Sequence, residues 1–89
     1  MELEKSAVED ALGRLRRVEG QVGGIIRMVD DGRDCRDILT QISAASKALD
    51  QVGFKLLASG LRYCVTNEED AAKAGYTVAE LERLFLKLA

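Results

Sequence analysis

The 89-residue chain has no histidine, no proline and no tryptophan, and aromatic residues make up only 4% of it. Without histidine, and with few acids away from the helix ends, no nucleophile, base and orienting group can be assembled, which argues against an enzyme. No apolar run approaches the length needed to span a bilayer, and the opening MELEKSAVED is too charged for a secretory signal. The expected location is therefore the cytoplasm, with no membrane partner. Cysteine is nearly absent too. In that compartment Cys35 and Cys64 are expected to be reduced, as reactive, metal-binding or simply buried thiols rather than a structural disulfide.

What remains is rich in Ala, Leu, Val, Glu, Lys and Arg, a composition that favours helix. Eighty-nine residues, 47% of them apolar, can bury only a thin core, so an all-α domain spanning 1–89 is expected to gain core by association. Three helices are predicted, over about 7–30, 35–65 and 78–88. Ser6 and Glu9 have the spacing of a capping box, as do Thr77 and Glu80. Asp30, Asp31 and Gly32 close the first helix, and Asp34 is placed to cap the second with Asp37 in its first turn. Residues 66–75 read as a polar connection. Val8, Leu12, Leu15, Val18, Val22, Ile25 and Val29 form one seam, and Ile38, Ile42, Ala45, Leu49, Val52 and Leu56 form a second. Both seams are longer than the short last helix could cover, which points to a multi-chain bundle.

The net charge of −2 hides a pattern. Residues 1–10 carry one base and four acids (net −3), residues 67–89 three bases and five acids (net −2), and residues 11–66 nine bases and six acids (net +3). A basic middle between acidic ends leaves room for a phosphate-binding surface. The alternative is a solvated charged face.

The two cysteines are 29 residues apart. On one continuous helix their Cα atoms lie roughly 43 Å apart, yet 29 steps leave only about 20° of rotation between them. They share a face at opposite ends of one rod. If two such rods pack antiparallel about a two-fold axis, Cys35 of one chain meets Cys64 of the other, twice per dimer. Cys35, at a helix start between Arg33 and Arg36, is in surroundings that suit a reactive thiol, with Asp34 and Asp37 opposing. Cys64 alone reads more simply as a small core residue. Two thiolates can hold Cu(I), but a third ligand would be expected one turn before Cys64, and that position is Gly60. Zinc would be left with half a tetrahedron unfilled. Sulfur exchange needs two thiols and nothing more.

The run RLRRVEGQVGGI at 14–25, the run CRDILTQI at 35–42 and a Cys closing the second helix resemble the copper-sensitive operon repressor family. The resemblance implies a three-helix protomer, an antiparallel four-helix-bundle dimer and a flat homotetramer built as a dimer of dimers. It implies a transcriptional repressor that leaves its operator DNA when an effector reacts at the intersubunit cysteines, with no cofactor. It also implies phosphate contacts from the RLRR stretch (Arg14, Arg16 and Arg17) and from basic residues of the second helix (Lys47, Lys55 and Arg62).

Copper sensors of the family use Cys, His and Cys, which fall on Cys35, Gly60 and Cys64, so the His is missing. Nickel and cobalt sensors need several His residues. Formaldehyde sensors pair the first Cys with an N-terminal proline, where this chain has Glu2. The resemblance therefore points to the persulfide-sensing branch, the CsoR-like sulfurtransferase repressors. There Cys35 would attack and Cys64 of the neighbouring chain would resolve, forming a disulfide or polysulfide bridge and derepressing genes of sulfide oxidation and sulfur transfer. The alternative is a Cu(I) sensor using the same two thiolates.

Overall fold

The computed structural model describes residues 4–89; Glu2 lies outside the described residues. Four helices follow in order: α1 (Lys5–Asp30), α2 (Cys35–Thr66), α3 (Glu68–Lys73) and α4 (Val78–Leu88). α1 and α2 pack as a long antiparallel hairpin, and α3 and α4 fold back over the second half of α2. The molecule measures 54 × 25 × 14 Å, a flat rod scarcely thicker than one helix.

The hairpin turn is made by glycine. Gly32 adopts φ +70°, and the Gly32 and Arg33 amides donate to the Val29 and Met28 carbonyls at 3.2 and 3.0 Å, which forms a Schellman closure of α1. α2 then starts on a true cap, with the Asp34 carboxylate accepting from the Arg36 amide at 2.8 Å. α4 starts the same way, with the Thr77 hydroxyl accepting from the Glu80 amide at 3.2 Å.

Two expectations are corrected. α1 begins at Lys5 after Glu4 with no side-chain cap, so Ser6 is already inside the helix and the Ser6–Glu9 box does not form. The stretch 66–75 is not merely a connection, because it contains α3. α3 follows α2 after a break at Asn67 (φ −137°), and Gly75 (φ +83°) ends it in a second Schellman closure, with the Tyr76 amide donating to the Ala71 carbonyl at 2.8 Å.

α2 runs unbroken through Gly53 and Gly60. Packing explains the first of these. A Cβ on Gly53 would lie 3.0 Å from the Leu88 side chain, so the bare backbone lets the end of α4 settle on α2, beside the Phe54 and Phe85 rings whose centroids are 5.6 Å apart.

The core is thin, as composition implied. Cys64, Ala71 and Leu81 are buried together, with Leu57, Leu61, Tyr63 and Tyr76 packed against them. Along the rest of the hairpin the buried hydrophobic residues, among those described, are the small Ala11, Val18, Ala45 and Val52. Of the seam residues, Val8, Leu12, Leu15, Val22, Val29, Ile42 and Leu49 are exposed in the protomer. A face this apolar marks an interaction surface.

Candidate functional site

Cys35 is the first residue of α2, exposed, directly after the capping Asp34. Its electropositive surroundings are weaker than the sequence suggests, because the Arg33 guanidinium sits 3.8 Å from the Asp37 carboxylate across one turn. Arg36, the next residue along the chain, makes no ion pair among the described residues.

Cys64 is the opposite case. It is 5% exposed, under Ala71 and Leu81, and its thiol donates weakly to the Tyr76 carbonyl at 3.8 Å. The Schellman turn at Gly75 delivers that carbonyl, since it fixes the backbone where α3 ends and α4 approaches. Sequence reasoning does not identify Tyr76 and Leu81 as the surroundings of Cys64. The Gly75 turn between a polar stretch and an apolar helix is the available signal.

Both thiols are free, and α2 is helical from one to the other, so within a protomer they are separated by roughly 43 Å of rod. One chain cannot close the pair. Nor does a protomer gather a metal site elsewhere, for no group of three or more Cys, Asp or Glu ligands comes together among the described residues. Gly60, one turn before Cys64, is buried and borders an apolar cavity of about 430 Å³ between α2 and α4. Tyr76 and Leu81 line the same cavity, which therefore reaches the immediate neighbours of Cys64.

The six basic residues expected at DNA separate into groups. Arg14, Lys55 and Arg62 line one cleft of about 330 Å³ between α1 and α2, floored by Ala11, Val52 and Leu56. Arg14 and Arg17 line the adjoining cleft with Gln21 and Gln51. Because Arg14 lines both, the clefts meet at that side chain, and together they make up the α1–α2 groove. On α1 the groove follows Asp10, Arg14, Arg17 and Gln21, spaced four, three and four, and so occupies a single helix face. Lys47 is elsewhere, grouped with Arg36 along the first half of α2. Arg16 is exposed on α1 and lines neither cleft.

A family profile described as a metal-sensitive transcriptional repressor matches residues 7–87, nearly the whole chain. The chain belongs to that family. The copper-sensing transcriptional repressor RicR of Mycobacterium tuberculosis (strain ATCC 25618 / H37Rv) is 57% identical over 53 residues, covering 60% of this chain and 55% of RicR. The chain thus matches only about half the length of RicR. The copper-sensing repressor CsoR of Bacillus subtilis (strain 168) is 40% identical over 74 residues, 83% of this chain and 73% of CsoR.

Among solved structures, the copper-sensing repressor CsoR with Cu(I) from Geobacillus thermodenitrificans NG80-2 superposes with TM-score 0.80 at 38% identity, over 98% of this chain and 91% of that one. The nickel-responsive transcriptional regulator InrS gives TM-score 0.75 at 29% identity, over 100% and 98%. The resemblance read from RLRRVEGQVGGI and CRDILTQI therefore holds at the level of the metal-sensitive repressor family. These relatives are named as repressors or regulators that respond to metals. They lend nothing to the persulfide branch, and they favour the copper alternative.

Proposed function

We propose that this metal-sensitive repressor, with residues 1–89 as one domain, binds operator DNA through the α1–α2 groove and releases it when an effector engages Cys35 and Cys64 of two different chains. The observation that carries this reading is the unbroken α2 with one thiol at each end. Two antiparallel copies of that rod create two identical dithiol sites, and a dimer of such dimers would present four basic grooves. Arg14, Arg17, Lys55 and Arg62 are the principal phosphate contacts in this reading, with Arg16 and Lys47 at the margins.

Cu(I) is the effector that the relatives support, and paired thiolates suit a soft monovalent ion. Two sulfurs from two chains can hold it in a linear arrangement or with a third ligand from outside. The test is a Cu(I) titration against a chromogenic chelator, with DNA binding followed by fluorescence anisotropy in the same samples. One Cu(I) per protomer, bound as DNA is released and lost in Cys35→Ala and in Cys64→Ala, is the expected result. DNA release that survives either substitution would sink the thiol-site reading.

Gly60 favours a second effector. Where copper sensors of the family place a His, this chain offers no donor, while sulfur exchange needs none. In that reaction the Cys35 thiolate attacks the outer sulfur of a persulfide RSSH, giving Cys35 persulfide and RSH. The partner's thiol Cys64 then attacks the inner sulfur, forming the intersubunit disulfide and expelling hydrogen sulfide. Intact mass separates the two readings: a covalent dimer after persulfide treatment supports sulfur, whereas unmodified chains that release DNA only with Cu(I) support copper.

A further inference from the structure

The groove assigned to DNA contains an acid. Asp10 lines the same cleft as Arg14, Lys55 and Arg62, and among the described residues it is the only acid lining either of the two clefts that make up the groove. It is not a bystander, because its Oδ2 accepts from Arg14 Nε at 2.9 Å. Arg14 is also the residue that the two clefts share.

A guanidinium recognises a phosphate best along an edge, through two parallel N–H donors. One such edge includes Nε, and Asp10 occupies that donor. A DNA phosphate arriving in the cleft must therefore displace the carboxylate or settle for the remaining terminal nitrogens beside a negative charge. Either route weakens binding.

We propose that Asp10 is an affinity-setting residue of the DNA face: its carboxylate competes with the phosphate backbone for Arg14. This rests on the DNA-binding reading above. The competition has a use in a repressor that must be released. An effector supplies only a limited coupling free energy, typically worth about 5- to 150-fold in affinity, so a face that holds DNA too tightly could not be cleared by it. An exposed carboxylate and guanidinium one turn apart hold each other weakly, so the pair opens at little cost when DNA arrives.

The experiment compares wild type, Asp10→Asn, Glu9→Gln, Arg14→Gln and the double variant Asp10→Asn/Arg14→Gln. The probe is labelled duplex DNA from upstream of the chain's own gene, titrated at several salt concentrations. Glu9→Gln makes the same change in net charge at an exposed neighbour that lines neither cleft, and so measures the general electrostatic effect. Asp10→Asn is expected to tighten binding by about two- to fivefold per engaged protomer beyond Glu9→Gln, the range that an exposed ion pair represents. It should also steepen the salt dependence, because Arg14 then neutralises phosphate fully.

The gain must vanish when Arg14 is already Gln. Equal gains from Asp10→Asn and Glu9→Gln, or a gain that persists in the double variant, would overturn the competition while leaving the DNA-binding reading intact. A wild-type chain with no salt-dependent DNA binding would overturn that reading and the proposal with it. Circular dichroism of Asp10→Asn distinguishes a purely local role, since a pair that merely holds the start of α1 would show lost helix and no gain in affinity.

Discussion

Cys35 and Cys64 differ first in access. Cys35 stands exposed on the first turn of α2, while Cys64 lies under Ala71 and Leu81 with its thiol against the Tyr76 carbonyl. An electrophile from solvent meets Cys35 without any rearrangement and Cys64 only after local opening. Alkylation of the native reduced chain, followed by peptide mass mapping, should therefore label Cys35 at least about tenfold faster, with the difference erased in denaturant. Comparable rates in the native chain would mean that α4 does not shield Cys64. Gly60 allows a second prediction at this scale. The cavity beside it has space for an imidazole, so Gly60→His should place a third donor one turn from Cys64 and tighten Cu(I) binding at the dithiol site by about tenfold or more in chelator competition. No gain would show that position 60 does not face the metal.

At the level of elements, α4 matters more than its eleven residues suggest, because it supplies Leu81 to the small core around Cys64 and lays Phe85 and Leu88 against Phe54 and Gly53. Leu81→Ala is expected to cost about 2–4 kcal/mol in thermal or chemical unfolding and to speed labelling of Cys64 without changing that of Cys35. A destabilised variant with unchanged Cys64 labelling would separate the packing role from the shielding role. α1, α2 and α4 are legible in the sequence because each carries a clear boundary signal: Gly32 with Asp34, and Thr77 with Glu80. α3 is not. Its EEDAAK stretch has no apolar periodicity, and what holds it is Ala71 packed under α4 and the turn at Gly75. The Ser6–Glu9 pattern misleads for the opposite reason, since a capping-box spacing cannot tell a helix start from the first turn of a helix that has already begun. The positions of Cys35 and Cys64 follow from helix arithmetic, and the pairing of Arg14 with Asp10 has the i, i+4 spacing of a helix ion pair, but the cover over Cys64 arises from side-chain packing that spacing does not encode.

The whole protomer is a thin rod with an apolar face along Leu12, Leu15, Val22, Ile42 and Leu49 and a basic groove along Arg14, Arg17, Lys55 and Arg62. Its dimensions give no room for a second layer of its own, and in the proposed assembly another copy covers the apolar face and brings together thiols held at opposite ends of one helix. Mixed assemblies can show whether those thiols pair between chains. A Cys35→Ser chain retains only Cys64, and a Cys64→Ser chain retains only Cys35. Neither alone can form a Cys35–Cys64 bridge under any packing. When the two are unfolded together, refolded and mildly oxidised, an antiparallel dimer of unlike chains holds one complete pair, with Cys64 from the first chain and Cys35 from the second. A covalent heterodimer on a non-reducing gel, carrying a peptide that joins Cys35 to Cys64, is the expected product of the mixture and of neither variant alone. Bridges only between like cysteines would put the helices in parallel register or the thiols at an unrelated contact, and the effector site would then have to be built from something other than two opposed copies of α2.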